Sequence, residues 1–160
     1  MKTLNQLIND YSRHLQEDNI QIAYKGILDF IGSLRSDFIN KYPDDGIGNI
    51  YQGYMDMSYF PVSPKLLKEK GLKIAVVYLH EKGAFEVWLS ARNREILRKY
   101  KAILENKGTD HINLFHDESN EDAAIECTLI SVPDFDNQAL LMEKIEQGTE
   151  KFISIISELL

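Results

Sequence analysis

The sequence contains a single cysteine and no long hydrophobic run. Cys127 alone excludes an internal disulfide and any zinc site built from several thiolates, and it fits a reducing compartment. No apolar segment is long enough to span a bilayer, and the first residues, MKTLNQLINDYSRHL, lack the continuous apolar stretch of a signal peptide. We therefore expect a cytoplasmic protein that does not have a membrane as a partner.

Positive charge is also scarce, because 18 Lys and Arg residues stand against 25 Asp and Glu, a net charge of −7. Since Lys and Arg neutralise phosphate backbones, this balance argues against nucleic acid as a partner. The apolar fraction of 44% and the charged fraction of 27% are those of an ordinary globular protein. A chain of 160 residues can form one compact domain that buries roughly 70% of its unfolded surface. We predict a single domain over residues 1–160.

Motifs of familiar catalytic chemistries are missing. The glycine-containing loop at residues 43–49 leads into a predicted strand, so it is neither a phosphate-binding loop nor a dinucleotide fingerprint, and no serine lies in a nucleophile elbow. His111 and His116 are five residues apart, which matches no standard metal-ligand spacing, and we interpret them with Asp110 and Asp117 as surface polar residues. The sequence assigns no catalytic residue, no metal ligand and no cofactor.

Residues 72–90, LKIAVVYLHEKGAFEVWLS, predict a β-hairpin around which the rest of the chain is organised. Residues 75–79 and 85–89 are rich in β-branched and aromatic side chains, and residues 81–83 break this pattern. A three-residue loop with Gly83 in the left-handed conformation would place Val77 opposite Val87.

This register gives the hairpin one wholly apolar face, which we expect to be the core face. The members of that face are Ala75, Val77, Leu79, Phe85, Val87 and Leu89. The opposite face then combines polar and aromatic groups, namely Ile74, Val76, Tyr78, His80, Glu86, Trp88 and Ser90. A two-residue loop would set Leu79 against Glu86 and mix the faces, so the three-residue register is preferred.

The flanking segments predict helices and further strands. Apolar stripes predict helices over residues 4–17 and 18–41, and their short connection predicts an antiparallel hairpin. Residues 50–60 predict a strand that Pro61 ends, with its apolar or aromatic odd-numbered positions in the core: Tyr51, Met55, Met57 and Tyr59.

The second half of the chain continues the alternation of helix and strand. We predict a basic helix after Ser90 that Gly108 closes, strands over residues 112–116 and 123–132, and a long C-terminal helix. The fold class is therefore α+β, with a four- or five-stranded mixed or antiparallel sheet. The C-terminal helix is expected on the apolar sheet face.

The polar face of the hairpin is the candidate site, provided that the first strand lies beside the hairpin. Carboxylates and a histidine could bind a metal or act as acid and base, and aromatic neighbours could wall a pocket. Two arginines near the rim could bind an anion. The candidate binding residues are Tyr54, Asp56, Tyr78, His80, Glu86, Trp88, Arg92 and Arg94. The alternative interpretation is structural, with Glu86 and His80 satisfied by hydrogen bonds on a second sheet face that a helix partly covers.

Three segments, IYQGYMDMSYF, LKIAVVYLHE and FEVWLSARNR, together resemble a family of small uncharacterised bacterial proteins, a domain of unknown function. The resemblance covers nearly the whole chain and implies a bacterial cytosolic origin. The predicted order of elements is also similar to the core of restriction-endonuclease-like nucleases, whose hairpin carries an acidic residue and then Glu-x-Lys. This sequence has Glu86-Val87-Trp88, with tryptophan in the lysine position.

Two functions follow from this reading. The first is a binding module that uses the polar and aromatic sheet face for a small anionic ligand or a protein. The alternative is a metal-dependent hydrolase or a restriction-endonuclease-like protein with a degenerate Glu-x-Lys motif. If the aromatic face is uncovered, a homodimer is a further hypothesis.

Overall fold

A computed structural model describes residues 1–107 and 113–160. In chain order the elements are α1 (Leu4–Glu17), α2 (Ile20–Lys41), β1 (Gly46–Ile47), β2 (Met57–Ser63), α3 (Lys65–Glu69), β3 (Leu72–Leu79), β4 (Ala84–Ala91), α4 (Arg94–Lys107), β5 (Leu114–Phe115), β6 (Ile125–Ile130) and α5 (Gln138–Leu159).

The strands of the described ranges form one six-stranded sheet in the order β1-β2-β3-β4-β6-β5, and every neighbouring pair is antiparallel. The α+β class, the two N-terminal helices, the central hairpin and the long C-terminal helix are confirmed. The sheet has six strands instead of four or five. The additional edge strands, β1 and β5, contain two residues each, too few to produce an alternating pattern in the sequence.

Helices α2 and α5 pack against one side of the sheet and enclose the main core. Phe30 of α2 and Ile145 and Phe152 of α5 are at most 1% exposed. The Phe30 ring lies 5.7 Å from the ring of Phe85 in β4. We call this side the helix face, and its main sheet residues are Phe60, Val62, Ile74, Val76, Tyr78, Phe85, Val87 and Leu89.

The other side of the sheet carries a second, smaller apolar cluster. This cluster joins Ala75, Val77 and Trp88 with Ala123 from the loop before β6, and it includes no helical residue among those the structure describes. We call this side the open face. Its residues alternate with those of the helix face and include Met57, Tyr59, Pro61, Lys73, Ala75, Val77, Leu79, Glu86, Trp88, Ser90 and Glu126.

The hairpin register differs by one residue from the predicted register. Val76 pairs with Val87, and Val77 pairs with Glu86. Gly83 has the predicted left-handed conformation, with φ of 65°. However, its N–H bonds to the Leu79 carbonyl at 2.8 Å, and the loop spans the four residues 80–83 between the paired ends of β3 and β4.

The faces of β4 were therefore predicted correctly and those of β3 were inverted. Phe85, Val87 and Leu89 face the main core, as predicted. Ala75, Val77 and Leu79 were predicted for the core and lie on the open face instead. Because β3 is apolar on both faces, its pattern could not reveal the error, and only the loop length decides the register.

Strand β2 was predicted too early in the chain and with its faces exchanged. The predicted strand over residues 50–60 fails because Gly53 and Met55 have positive φ values of 75° and 65°, which turn the chain. Tyr51 then folds back and pairs with Tyr59. Tyr51 and Met55 are thus 42% and 44% exposed, not in the core as predicted.

β2 continues through Pro61, which the sequence analysis took as its end. The Pro61 carbonyl accepts a hydrogen bond from the N–H of Gly48 at 2.9 Å. In an antiparallel strand the nitrogen and carbonyl of one residue point the same way. The nitrogen of Pro61 therefore points towards Gly48 and away from β3, so the ladder between β2 and β3 loses no donor. Met57 and Tyr59, predicted for the core, lie on the open face, and Phe60 faces the helices.

Helix α1 has no buried residue. A capping box begins it, because Thr3 Oγ1 accepts from Gln6 N at 3.2 Å and Gln6 Oε1 accepts from Thr3 N at 2.8 Å. The apolar stripe lies outside the monomer's core, with exposures of 71%, 52%, 48% and 58% for Leu4, Leu7, Ile8 and Tyr11.

Two further strand predictions are confirmed in the described part of the chain. β5 lies within the predicted 112–116 and β6 within the predicted 123–132. The sequence offers Asp134 and Asp136 as caps for α5, but the cap is Asn137, whose side chain accepts a hydrogen bond from Leu140 N. Gly108, Asp110, His111 and Ile112 lie outside the described residues.

The register can be tested with two substitutions in β3. Ile74 is fully buried on the helix face, so Ile74→Ala should lower the free energy of unfolding by about 3 kcal/mol. Leu79 is half-buried on the open face, so Leu79→Ala should cost about 1 kcal/mol. Urea denaturation of both variants measures the difference. The reverse order would favour the three-residue loop.

Candidate functional site

The structure divides the eight predicted site residues among several places. Tyr78 lies on the helix face, and His80 is the first residue after β3. Glu86 and Trp88 lie on the open face. The predicted single concave surface is therefore not formed, because the one-residue register difference moves Tyr78 to the other side of the sheet.

His80 is satisfied within the fold. Its Nε2 lies 2.8 Å from Ser58 Oγ, which itself donates to the carbonyl of Gln52 at 2.5 Å. Nε2 therefore carries the proton and donates to Ser58. The ring also lies 5.0 Å from the ring of Tyr78, and burial lowers the pKa of His80. This arrangement agrees with the structural interpretation of His80.

Tyr54, Asp56 and Arg94 lie around the margin of the open-face cluster. Tyr54 and Asp56 line a cavity with Leu79, and Arg94 lines another with Ala123. Tyr54 is 90% exposed in the turn before β2. Asp56 closes that turn by accepting from Tyr54 N at 2.9 Å, and this hydrogen bond is the largest of the effects that lower the pKa of its carboxyl group. Arg94 forms an ion pair with Glu121 at 3.1 Å.

Two of the predicted residues remain together on one side, and a third lies just past the end of their strand. Glu86 and Trp88 are alternate residues of β4, so they project to the same side of the sheet. Arg92 lies just beyond β4, where its N–H extends the ladder by bonding to the Gly71 carbonyl at 3.0 Å. The candidate site is therefore the open face along β4.

A cleft lies at the centre of this face. Pro61, Ala75 and Trp88 form one row across β2, β3 and β4, because Ala75 pairs with both of its neighbours. Ala75 has only a methyl side chain between two larger rings, which leaves a depression. The resulting cavity of about 240 Å³ is also lined by Met57 and Tyr59. We call it the Trp88 cleft.

The Trp88 ring is held by a buried carboxylate. Its Nε1 donates to Glu86 Oε1 at 3.0 Å, and Glu86 Oε2 pairs with Lys82 Nζ at 2.7 Å. Glu86 is only 2% exposed, so both of its oxygens need these partners. One wall of the cleft is thereby fixed before any ligand arrives.

A second buried carboxylate lies beside Trp88. Glu126 of β6 pairs with Trp88 and is 1% exposed. It accepts from Asp117 N at 2.8 Å, and its other oxygen lies 2.7 Å from His116 Nδ1. Burial raises the pKa of Glu126, the hydrogen bonds from Asp117 and His116 oppose this shift, and the charge of Glu86 adds to it.

The sequence analysis did not identify this second carboxylate or its partner. His116 was predicted as a surface residue, but its side chain is only 16% exposed and contacts Glu126. The lone Glu in the apolar segment IECTLI was the available signal. Within residues 1–107 and 113–160 no group of three or more His, Cys, Asp or Glu side chains could hold a metal ion. The hydrogen bonds and ion pairs of Glu86, Glu126 and His116 are made within the fold, beneath the open face.

Comparison with known proteins gives one result. The model of a family described as a domain of unknown function, DUF7000, matches residues 4–160. The chain belongs to this family. Neither the curated proteins nor the solved structures contain a significant match. In the described part of this DUF7000 member, no helix is long and apolar enough to cross a membrane.

The raised pKa of Glu126 predicts a specific pH dependence of stability. Since the folded pKa lies above the unfolded value, the contribution of Glu126 is complete below the unfolded pKa of about 4.5 and is lost as pH rises through the folded pKa. Glu126→Gln removes this dependence. The unfolding free energy of the wild type minus that of the variant should decrease above pH 4.5 by about 1.4 kcal/mol per pKa unit of elevation.

Urea denaturation between pH 4 and 8 measures this difference. The exposed Glu17→Gln controls for the loss of one negative charge, and its difference from the wild type should not follow the same curve. A wild-type advantage that grows with pH would show that hydrogen bonds to the ionised Glu126 outweigh its burial.

Proposed function

We propose that this protein is a binding module that takes a small organic anion with a flat apolar body into the Trp88 cleft. The observation that carries the proposal is the row of Pro61, Ala75 and Trp88, with Lys73 at one end of the same cavity. The side chains of this row favour a ligand with an apolar body, and the positive charge of Lys73 favours a negatively charged group on it.

The walls of the cleft determine the body of the ligand. Trp88 and Tyr59 offer aromatic surfaces, and Met57 and Pro61 complete an apolar lining. A volume of about 240 Å³ is just below the range of sites for drug-sized ligands, so it suits a single ring with a short chain. Flat rings stack favourably on aromatic side chains. A small aromatic compound therefore fits better than a bulky or highly polar one.

The ends of the cleft determine the charge of the ligand. Lys73 is half-buried and forms no ion pair with any residue that the structure describes. Ser90 pairs with it across β3 and β4 and supplies a hydroxyl group at the same end. Asp122 also lines the cleft, and its charge adds to the effect of burial in raising the pKa of Tyr59. An anionic group therefore belongs at the Lys73 end.

The structure favours this binding function over the enzymatic alternative. Glu86 and Glu126 both use their oxygens in buried hydrogen bonds and ion pairs, so neither is free to act as an acid or base in the cleft. The comparisons also provide no support for a hydrolase or nuclease. The cytoplasmic location and the homodimer remain predictions from the sequence.

Intrinsic fluorescence provides a direct test, because Trp88 is the only tryptophan of the chain. We expect 3-phenylpropanoate to change the Trp88 emission and to bind about tenfold more tightly than the neutral 3-phenylpropanamide, since a charge-assisted hydrogen bond contributes about 1.5 kcal/mol. The cationic 3-phenylpropylammonium should bind weakest of the three. An unchanged emission with all three compounds, or a preference for the cation, would refute the proposal.

Two variants separate the apolar and the ionic contributions. Ala75→Leu should fill the cleft and abolish the fluorescence change, whereas Thr128→Leu, on the same face opposite Glu86, should leave it intact. Lys73→Met should remove the preference for charge, so that 3-phenylpropanoate and 3-phenylpropanamide bind with equal affinity. Thermal unfolding of each variant checks that the fold is retained.

A further inference from the structure

A second cavity adjoins the Trp88 cleft. Its volume is about 290 Å³, and its lining includes the side chains of Ser63, Lys68, Lys73 and Arg92. No carboxylate among the described residues lines it. Lys73 borders both this cavity and the Trp88 cleft, so the two cavities are neighbours. We call the second cavity the basic pocket.

The backbone holds Arg92 at this position. Gly71 has a φ of 74°, which residues with side chains rarely adopt. A Cβ atom at Gly71 would lie 3.3 Å from Arg92 Nε and 2.8 Å from Ile96 Cδ1. The Arg92 side chain therefore passes directly over Gly71, and the bond from Arg92 N to the Gly71 carbonyl fixes the two residues together.

The three cations of the basic pocket have no carboxylate partners. Lys68, Lys73 and Arg92 form no ion pair within the described ranges, whereas Lys82 and Arg94 each pair with a carboxylate. Three like charges line one cavity, and an anion bound between them would interact favourably with all three, although water and salt screen the exposed Lys68 and Arg92. Their concentration is unusual in a chain with a net charge of −7. The basic pocket is therefore a site for a strongly anionic group.

We infer that the basic pocket binds a phosphoryl group, so that the ligand of the Trp88 cleft is a small aromatic phosphate ester. A carboxylate has two oxygens and one charge, which Lys73 and Ser90 can satisfy. A phosphoryl group has three terminal oxygens and nearly two charges at neutral pH, which match the three cations and the hydroxyl of Ser63. This inference rests on the proposed function, because it places the ester's body in the cleft.

The test compares three probes on the wild-type chain: 2-phenylethyl phosphate, 3-phenylpropanoate and inorganic phosphate. Trp88 fluorescence reports occupation of the cleft, and isothermal titration calorimetry reports binding anywhere. We expect the phosphate ester to bind at least tenfold more tightly than the carboxylate. Its affinity should increase from pH 5.5 to 7.5, as the phosphoryl group gains its second charge.

Substitutions in the basic pocket should separate the two ligands. Lys68→Gln and Arg92→Gln should each lower the affinity for 2-phenylethyl phosphate about tenfold. The affinity for 3-phenylpropanoate should change less than twofold. Lys65→Gln is the matched control, because Lys65 belongs to the same helix as Lys68 and does not line the pocket. Since these side chains are exposed, the thermal stability of the variants should be unchanged.

The outcomes distinguish the two proposals. Equal binding of ester and carboxylate, both with a fluorescence change, would overturn the phosphoryl site and leave the proposed function intact. Calorimetric binding of inorganic phosphate that Lys68→Gln weakens, without a fluorescence change from either organic probe, would support the phosphoryl site and overturn the proposed ligand of the cleft. If 3-phenylpropanoate binds but neither inorganic phosphate nor 2-phenylethyl phosphate does, the phosphoryl site is also overturned.

Discussion

The pairing of β3 with β4 determines which side chains meet on each face of the sheet. A four-residue loop sets Val76 against Val87 and Val77 against Glu86. With that register, Ile74, Val76 and Tyr78 join the core under α2 and α5. Ala75 then faces the open side between Pro61 and Trp88, and the Trp88 cleft exists because that one position is small.

The open face combines three environments along its length. Buried carboxylates with their partners lie at one end, an apolar cleft lies in the middle, and unpaired cations within the described residues lie at the other end. The buried end has a structural purpose, since Glu86 orients Trp88 and Glu126 anchors the segment before β6 through His116 and Asp117. Buried charges persist only when they are hydrogen-bonded, and here those bonds also make the cleft rigid. A rigid cleft would bind the ligand that we propose with a smaller loss of entropy.

The distribution of charge gives this face its chemical character. Several basic residues form ion pairs with carboxylates of other elements. Lys41 of α2, for example, pairs with Glu146 of α5. Lys68, Lys73 and Arg92 lack such partners in the described ranges, although acidic residues outnumber basic ones in the chain. Net charge argued against a broad nucleic-acid surface, and it gave no indication of this local cluster of cations. Helix α1 adds an exposed apolar stripe at the other end of the sequence.

Local signals were enough to predict the α+β class, the four long helices, the central hairpin and the faces of β4, because periodicity and capping depend on residues close in the sequence. They also placed Glu86 and Trp88 side by side, since alternate residues of one strand share a face whatever the register. Only the tertiary structure decided the partners of β3 and β2. β3 is apolar on both sides and β2 follows a turn at Gly53 and Met55, so neither pattern fixes which side is buried. For the same reason Ala75, Lys73 and Glu126 were found only when strands distant in sequence were brought together.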